Sequence, residues 1–391
     1  MSTDEVDVLV VGAGIQGVGV AQAAAAAGHS VLVLEQARVA FGTSSKSSKL
    51  IHGGLRYLET FQLSLVRESL RERATLLRVA PHLVRLVPFH IPIYDDTSRH
   101  RWQIRAGLSL YALLGGLSPD TRFRTLARAR WEELDGLRTT GLKGVFRYFD
   151  GQTDDARLAR TVLRSAEDLG ARVAMPAEML AAQRQGDGWN IRYEADGHEQ
   201  EIRGRVLVNA AGPWANRVRE RIHPRPPGRD IDLVGGTHVE LEGTLDQGIY
   251  YTEAPSDRRA VFAMPWRGHI LVGTTEREYT GDPASVKPTE AEISYLESTF
   301  EHYFPGKGST RIAAWAGLRV LPQGKGKAFT RPREVLLTPD DPSRPRALTI
   351  YGGKLTGYRH TAERVARELE KTLGRAKRKA DPATLPLPIV D

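Results

Sequence analysis

The stretch at positions 6–35, VDVLVVGAGIQGVGVAQAAAAAGHSVLVLE, decides the fold of this chain. Its first six residues form a short, apolar, β-branched run that is typical of a buried parallel strand. A GxGxxG built on Gly12, Gly14 and Gly17 follows, then an alanine-rich helix and a second strand that ends on Glu35. This order predicts a βαβ unit that binds a dinucleotide, with the pyrophosphate at the helix N-terminus and the ribose hydroxyls on the acid. The acid favours FAD or NAD over NADP.

The composition limits the class of protein. The chain has 391 residues, enough for two domains, and its 41% hydrophobic and 26% charged residues are typical of a soluble globular protein. The absence of cysteine excludes disulfides, thiolate metal sites and cysteine nucleophiles, and it suits a reducing compartment. We expect no metal. The net charge of +8 favours anionic partners. No nucleic-acid recognition motif accompanies that charge, so we expect no nucleic-acid partner.

The location of the protein is predicted from its N-terminus and its apolar runs. The first residues are acidic and enter a strand directly, unlike a signal peptide. No apolar run approaches the roughly 20 residues that a membrane-spanning helix needs. We therefore expect a cytoplasmic protein, with a peripheral contact on the inner face of the cell membrane as a further expectation.

The loop from Thr43 to Glu59, TSSKSSKLIHGGLRYLE, distinguishes between the two dinucleotides. A nicotinamide enzyme usually continues from the second strand into more βα units, whereas this loop is rich in hydroxyls and glycine. Such a loop can place backbone N–H groups and hydroxyls along a pyrophosphate and a flavin edge, which favours FAD. His52 is a candidate base, since its side chain titrates near neutral pH, and a structural hydrogen-bonding role is the alternative.

The segment GTSSKSSKLIHGGLRYLE resembles the signature of the FAD-dependent glycerol-3-phosphate dehydrogenases, within the glycine/D-amino-acid oxidase-like flavoproteins. The resemblance continues in the family order through RERATLLRVAPHLV, DDARL, VNAAGPWA, MPWRGHILVGTTEREYTGDP, AGLRVL and YGGKLTGYR. It implies oxidation of sn-glycerol 3-phosphate to dihydroxyacetone phosphate by hydride transfer to FAD, with the electrons passed on to quinone. The resembling enzymes continue into a helical domain of roughly a hundred residues, so we expect this chain to be a short form.

The expected fold class is α/β, with an α+β substrate part. A Rossmann-like FAD-binding domain is interleaved with a mainly antiparallel β-sheet substrate domain. We assign 1–88, 151–228 and 316–375 to the first, 89–150 and 229–315 to the second, and 376–391 to a tail. Apolar periodicity predicts helices over 63–79 and 359–373 and, within 154–173, a helix that is followed by Gly170 and a strand.

Catalysis and substrate binding are assigned to residues inside the resembling segments. Arg56, Arg319 and Lys354 are candidate cations for a phosphate, Arg as a planar fork and Lys as a point charge, and ion-paired surface residues are the alternative. His238 is a second candidate base, and Tyr57 is a candidate hydrogen-bond donor to the substrate, with a packing role as the alternative. The expected catalytic set is His52, Arg56, Arg319 and Lys354, and the expected substrate set is Arg56, Tyr57, His238, Arg319 and Lys354. Glu276 stands where the resembling enzymes usually carry Asp.

The cofactor is predicted to contact residues from all parts of the FAD-binding domain. These are Gly12, Gly14, Ile15, Gly17, Glu35, Gln36, Thr43, Ser44, Ser47, Ser48, Lys49, Leu50, Ala177, Ala211, Gly212, Trp214, Gly317, Gly353, Lys354, Leu355 and Thr356.

Other functions stay open at this point. The alternatives are a glycerol-3-phosphate oxidase that uses dioxygen, an oxidase or dehydrogenase of an amino or 2-hydroxy acid, and a flavin-binding sensor without turnover. The segment 99–117, RHRWQIRAGLSLYALLGGL, is basic at one end and apolar at the other. It is interpreted either as an interfacial helix, where quinone would be reached, or as a buried helix of the second domain.

Overall fold

The computed structural model describes residues 5–308, 310–323 and 334–390. The strands of these ranges are β1 (Glu5–Val11), β2 (Val31–Leu34), β3 (Leu50–Ile51), β4 (Arg85–Tyr94), β5 (Arg124–Thr125), β6 (Leu142–Gln152), β7 (Arg172–Ala174), β8 (Ala177–Gln185), β9 (Gly188–Ala195), β10 (His198–Asn209), β11 (Ile222–His223), β12 (Ile231–Leu241), β13 (Ile249–Glu253), β14 (Ala260–Trp266), β15 (His269–Gly273), β16 (Arg277–Tyr279), β17 (Arg311–Pro322), β18 (Leu336–Pro339) and β19 (Ala347–Tyr351). The α-helices are α1 (Ile15–Ala27), α2 (Leu63–Val79), α3 (Arg101–Leu114), α4 (Asp155–Asp168), α5 (Ala215–Glu220), α6 (Glu290–Tyr303) and α7 (Tyr358–Leu373).

The first sheet is built around the parallel pairs predicted from the glycine motif. Strand β1 lies between β2 and β10, and β7 and β19 extend the parallel part on either side. Strands β8 and β9 are antiparallel to each other, and β9 pairs antiparallel with the first half of β10. Because parallel strands bury both faces, the run from Val8 to Val11 is apolar and buried at every position rather than alternating. The expected Rossmann-like arrangement is confirmed.

Helices α1, α4 and α7 cover one face of this sheet and form its core with β1 and β2. The alanines and glycines of α1 let α7 approach closely: a Cβ at Gly19 would lie 2.7 Å from the ring of Tyr358. The three helices predicted from apolar periodicity are confirmed as α2, α4 and α7, with ends that differ by at most a few residues.

The second sheet is mainly antiparallel, as expected for the substrate part. Its order is β16-β12-β15-β14-β13-β4-β6-β3, with β17 on β12 and β5 on β6, and the β13–β4 pair is parallel. Helix α6 packs on one face, and α2 and α3 pack on the other. Strand β17 continues to Pro322 in this sheet and so crosses the expected domain boundary at 315–316. The division into domains therefore stays a proposal.

The expected tail packs against the first sheet's helices. The backbone N–H of Lys379 donates to Ala26 at the end of α1, and that of Leu387 donates to Val79 at the end of α2. The side chain of Leu387 is buried in the same core as α1 and α4. The segment therefore contributes to the core despite its proline-rich composition.

Candidate functional site

A cavity of about 380 Å³ lies at the carboxyl ends of β1 and β2 and extends to the second sheet. Its wall brings together nearly all the residues predicted to bind cofactor or substrate. The predicted residues on this wall are Gly12, Gly14, Ile15, Glu35, Gln36, Thr43, Ser44, Ser47, Ser48, Leu50, His52, Arg56, Tyr57, Ala177, Ala211, Gly212, Trp214, His238, Gly317, Arg319, Gly353, Lys354, Leu355 and Thr356. Their individual roles stay predictions. A ligand crevice at the carboxyl ends of parallel strands is the usual position in α/β folds.

Two residues predicted to contact the cofactor lie outside the cavity wall. Gly17 packs helix on strand, because a Cβ there would lie 1.9 Å from the carbonyl oxygen of Gly12. Lys49 has a positive φ of 60°, and its Nζ lies 2.7 Å from Oδ1 of Asp155 on α4. Lys49 and Asp155 form a buried ion pair that ties the loop to α4, and the cofactor contact of Lys49 stays a prediction.

The part of the cavity beside the end of β1 and the start of α1 fits the pyrophosphate and ribose of a dinucleotide. Gly12 has φ of +103°, a backbone conformation that residues other than glycine rarely adopt. A Cβ at this position would lie 2.9 Å from the carbonyl oxygen of Ala210, just after β10. The carboxylate of Glu35 accepts a hydrogen bond from the N–H of Ala13 at 2.8 Å. The N–H of Ile15 donates to Oγ of Ser44 at 2.9 Å, so the hydroxyl loop is tied to the first turn of α1. The first turn of a helix offers N–H groups without intrahelical partners, which is what a pyrophosphate requires.

Another part of the cavity wall carries two arginines that share one carboxylate. Arg319 on β17 donates through Nη2 to Oγ1 of Thr274 at 3.2 Å, and its Nη1 lies 3.4 Å from Oε1 of Glu276. The other carboxylate oxygen of Glu276 lies 2.8 Å from Nη2 of Arg259. Gly236 gives Arg319 its space, since a Cβ at Gly236 would lie 2.8 Å from the guanidinium. The carboxylate therefore holds two arginines side by side.

Arg259 is a cavity residue that the sequence analysis missed. It follows Arg258 in an unremarkable charged turn, and no spacing links it to Arg319 in the sequence. Pairing of β14 with β15, and of β15 with β12, brings its strand to the cavity. The glutamate at position 276 was the available signal, because a mostly buried carboxylate requires cationic partners.

Lys354 and Tyr57 contact each other on the cavity wall. Nζ of Lys354 lies 3.9 Å from the centre of the Tyr57 ring, within the range of a cation–π contact. Lys354 lies in the loop before α7, and Tyr57 lies in a 3-10 helix after the Gly53-Gly54 pair. The structure therefore joins the first and last resembling segments at one place.

The two candidate bases have different surroundings. His238 is 1% exposed, and its Nε2 lies 2.9 Å from Oγ of Ser48. Burial, together with the nearby charges of Arg319 and Lys49, lowers the pKa of His238 to about 3, so its ring is neutral near pH 7. His52 is half-buried, and its backbone N–H donates to Oγ1 of Thr356 at 3.2 Å.

A second buried histidine yields a prediction about acid stability. Burial, with the charges of Arg147 and Arg124, lowers the pKa of His90 to about 4. In the unfolded chain this ring binds a proton below about pH 6.5, so between those values the unfolded state binds more protons. The free energy of unfolding therefore falls as the pH falls, by about 1.4 kcal/mol per pH unit for this one residue.

The variant His90→Gln is expected to lose that contribution between about pH 6.5 and pH 4. Denaturant titrations across this range measure it as a shallower pH dependence of the free energy of unfolding. His198→Gln, at the exposed start of β10, serves as the control and should keep the full dependence. Equal slopes for wild type and His90→Gln would contradict the prediction.

Comparisons with known proteins place these features in context. The model of the family described as FAD dependent oxidoreductase matches residues 7–359. A glycerol-3-phosphate dehydrogenase of Pseudomonas aeruginosa is 39% identical over 93% of this chain and 71% of its own length. A D-erythritol 1-phosphate dehydrogenase of Brucella abortus is 36% identical over 92% of this chain and 72% of its own length. The crystal structure of the glycerol-3-phosphate dehydrogenase of Bacillus halodurans with FAD has a TM-score of 0.75 and 27% identity, over 99% of this chain and 68% of that one.

Proposed function

The chain belongs to the FAD dependent oxidoreductase family, and we propose that it oxidises sn-glycerol 3-phosphate to dihydroxyacetone phosphate. The observation that carries the proposal is one cavity whose wall contains both a dinucleotide cradle and several cations. Arg56, Arg259, Arg319 and Lys354 all line it. A phosphate dianion carries more negative charge and more acceptor oxygens than the single carboxylate of an amino or 2-hydroxy acid, so a wall with several cations favours the phosphate ester.

The reaction removes a hydride from C2 of the substrate and a proton from its hydroxyl, and leaves a ketone. FAD, when bound, accepts the hydride and with it the electron pair of the oxidation. The residues of the chain bind the phosphate, orient C2 and take up the proton. Arg319 suits the phosphate because its planar fork matches two phosphate oxygens, and Glu276 and Thr274 fix that fork before substrate arrives.

His238 and His52 are both candidates for the proton acceptor. His238 is neutral, as a proton acceptor must be. Oγ of Ser48 lies 2.9 Å from its Nε2, so the serine hydroxyl can relay the proton from the substrate to His238. Arg319 is one of the charges that lower the pKa of His238. A phosphate dianion paired with Arg319 would offset that charge, so we expect the pKa of His238 to rise when substrate binds.

An anaerobic titration tests the proposed function. The purified protein is loaded with FAD and mixed with sn-glycerol 3-phosphate, D-erythritol 1-phosphate, glycerol or a 2-hydroxy acid. We expect the oxidised-flavin absorbance to bleach with a phosphorylated polyol and not with glycerol or the acid. Bleaching only with erythritol phosphate would move the substrate to the longer polyol, in line with the relative from Brucella abortus. A bound flavin that no phosphate ester bleaches would contradict the proposal.

We propose that the electrons pass to quinone at a membrane surface. Within the part of the chain that the structure describes, no helix is long and apolar enough to cross a membrane. Helix α3 instead has a buried face and an outer stripe in which Trp102 is 68% and Leu113 is 61% exposed. Arg101 and Arg105 flank that stripe with positive charge, which complements anionic lipid headgroups.

Reoxidation of the substrate-reduced protein distinguishes the acceptors. We expect fast reoxidation by quinone in vesicles of anionic lipid, slower reoxidation with neutral vesicles, and slow reoxidation by dioxygen. Fast reoxidation by dissolved dioxygen, with no effect of quinone, would instead indicate an oxidase.

A further inference from the structure

A chain of buried hydrogen bonds runs from the cavity loop into the substrate domain. The N–H of Gly53 donates to the hydroxyl oxygen of Tyr111 on α3 at 2.9 Å. That hydroxyl donates to Oδ2 of Asp150 on β6 at 2.5 Å. Oδ1 of Asp150 lies 2.9 Å from Nη1 of Arg73 on α2, and Nη2 of Arg73 lies 2.5 Å from Oδ2 of Asp120.

The side chains of this hydrogen-bond network are largely removed from solvent. Arg73 and Asp150 are each 1% exposed and Tyr111 is 0% exposed, while Asp120 at the outer end is 25% exposed in its side chain. Tyr111 and Asp150 lie outside the cavity wall, so neither is placed to touch substrate or cofactor. Three fully buried polar groups need a reason, because a buried charge pair contributes little net stability compared with apolar residues of the same volume.

The backbone of Gly53, where this hydrogen-bond network reaches the cavity loop, supplies that reason. Gly53 and Gly54 separate His52 from Arg56 and Tyr57, which all line the cavity. Two adjacent glycines have wide conformational freedom, and Gly54 has φ of +78°. The loop therefore relies on outside contacts to hold its side chains in one arrangement.

The hydrogen-bond inventory leaves one arrangement of protons at Tyr111. Its hydroxyl carries one proton and two lone pairs. The N–H of Gly53 can only donate, so the tyrosine oxygen accepts from it and the tyrosine proton goes to Asp150. Burial and the adjacent Asp150 carboxylate raise the pKa of Tyr111 well above its usual value, so the hydroxyl stays protonated. Arg73 balances the buried carboxylate and fixes its orientation.

We propose that Tyr111, with Asp150 and Arg73 behind it, is a positioning residue that fixes the His52-to-Tyr57 loop for catalysis. The proposal rests on the proposed function in that the loop is expected to act on a phosphorylated polyol. Its structural part, the restraint of the Gly53 backbone, is independent of which substrate is used. Thr356 holds the neighbouring residue, since its Oγ1 accepts from the N–H of His52, so Tyr111 supplies the second of two adjacent anchors.

The matched variants Tyr111→Phe and Tyr303→Phe test the proposal in the FAD-loaded protein. Both remove a buried tyrosine hydroxyl, but that of Tyr303 donates to the carbonyl of Glu253, outside the cavity wall. We expect Tyr111→Phe to bind FAD fully. Its kcat/KM should fall by about 10- to 100-fold, because a displacement of about 1 Å of the residues that orient the substrate lowers the rate by roughly that factor. Tyr303→Phe should stay within about twofold of wild type at a similar thermal stability. Unchanged kcat/KM in Tyr111→Phe, or an equal loss in both variants, would overturn the proposal.

Hydrogen exchange supplies a readout that depends neither on activity nor on the folding of Tyr111→Phe. In the FAD-loaded wild type, the peptide containing Gly53 should exchange slowly. The milder variant Asp120→Asn weakens the contact with Arg73 at the outer end of the hydrogen-bond network. It should speed hydrogen exchange in the peptide that contains Gly53 but not in β13. No change there would overturn the proposal. Absence of turnover in wild type, with exchange behaving as expected, would contradict the proposed function and leave the restraint intact.

Discussion

Replacing Arg319 by alanine is expected to lower kcat/KM for the phosphorylated polyol by about 10²- to 10⁴-fold. A bidentate phosphate contact consists of two charge-assisted hydrogen bonds of about 1.5–3 kcal/mol each, which together amount to about 3–6 kcal/mol. The fold should tolerate the change, because Glu276 keeps Arg259 as a partner at 2.8 Å. The loss therefore reports on substrate binding and turnover rather than on unfolding.

Steady-state kinetics of FAD-loaded Arg319→Ala and Arg319→Lys measure this effect. The lysine variant keeps the charge without the fork, so we expect its activity to lie between that of wild type and that of the alanine variant. Arg205→Ala is the control, since Arg205 pairs with Asp7 outside the cavity wall and should leave kcat/KM unchanged. Wild-type kinetics in Arg319→Ala would exclude Arg319 from the substrate site.

Replacing Asp155 by alanine is expected to destabilise the protein by about 3–5 kcal/mol and to weaken FAD binding. Removing one partner of a buried ion pair leaves the other charge uncompensated. Here that charge is the Lys49 ammonium, which is left with the carbonyl of Ser45 at 2.7 Å and two indole faces between 5 and 6 Å away. Asp155 also accepts from the N–H of Ser47 at 2.9 Å, so its loss releases the hydroxyl loop at the cavity.

Denaturant unfolding and the FAD content of the purified protein measure the two parts of this prediction. Asp168→Ala is the matched control on the same helix, because Asp168 forms an exposed pair with Arg164. Exposed pairs contribute about 0–1 kcal/mol, so the control should unfold almost as wild type does and keep its FAD. If the two variants lose the same stability, the buried pair does not anchor the loop.

Local patterns in the sequence predicted the elements that form the dinucleotide part of the cavity. The βαβ unit is encoded in consecutive residues, since strand runs, glycine turns and helical periodicity each act over a few positions. Helix α2 begins and ends where its periodicity predicts. The loop from Thr43 to Tyr57 was identified as part of the site from its composition, and it lines the cavity as expected.

The sequence did not predict contacts between residues that lie far apart in the chain. It predicted a cofactor contact for Lys49 but not the ion pair of that residue with Asp155, 106 residues away. It assigned no role to Arg259, and for Glu276 it noted only that the resembling enzymes usually carry Asp there. In the structure, the carboxylate of Glu276 contacts both Arg259 and Arg319. The sequence left α3 open between an interfacial and a buried helix, and it assigned no role to Tyr111.

By itself, the sequence determined the fold class, the dinucleotide cradle and the residues of the hydroxyl loop, because each depends on neighbours in the chain. Only the tertiary structure decided which charges pair and which backbone groups are anchored. The bond from Gly53 to Tyr111 joins residues 58 positions apart, and the contact of Arg319 with Glu276 joins residues 43 apart. Such contacts follow from strand order and register, which bring distant segments together in ways that local periodicity does not encode.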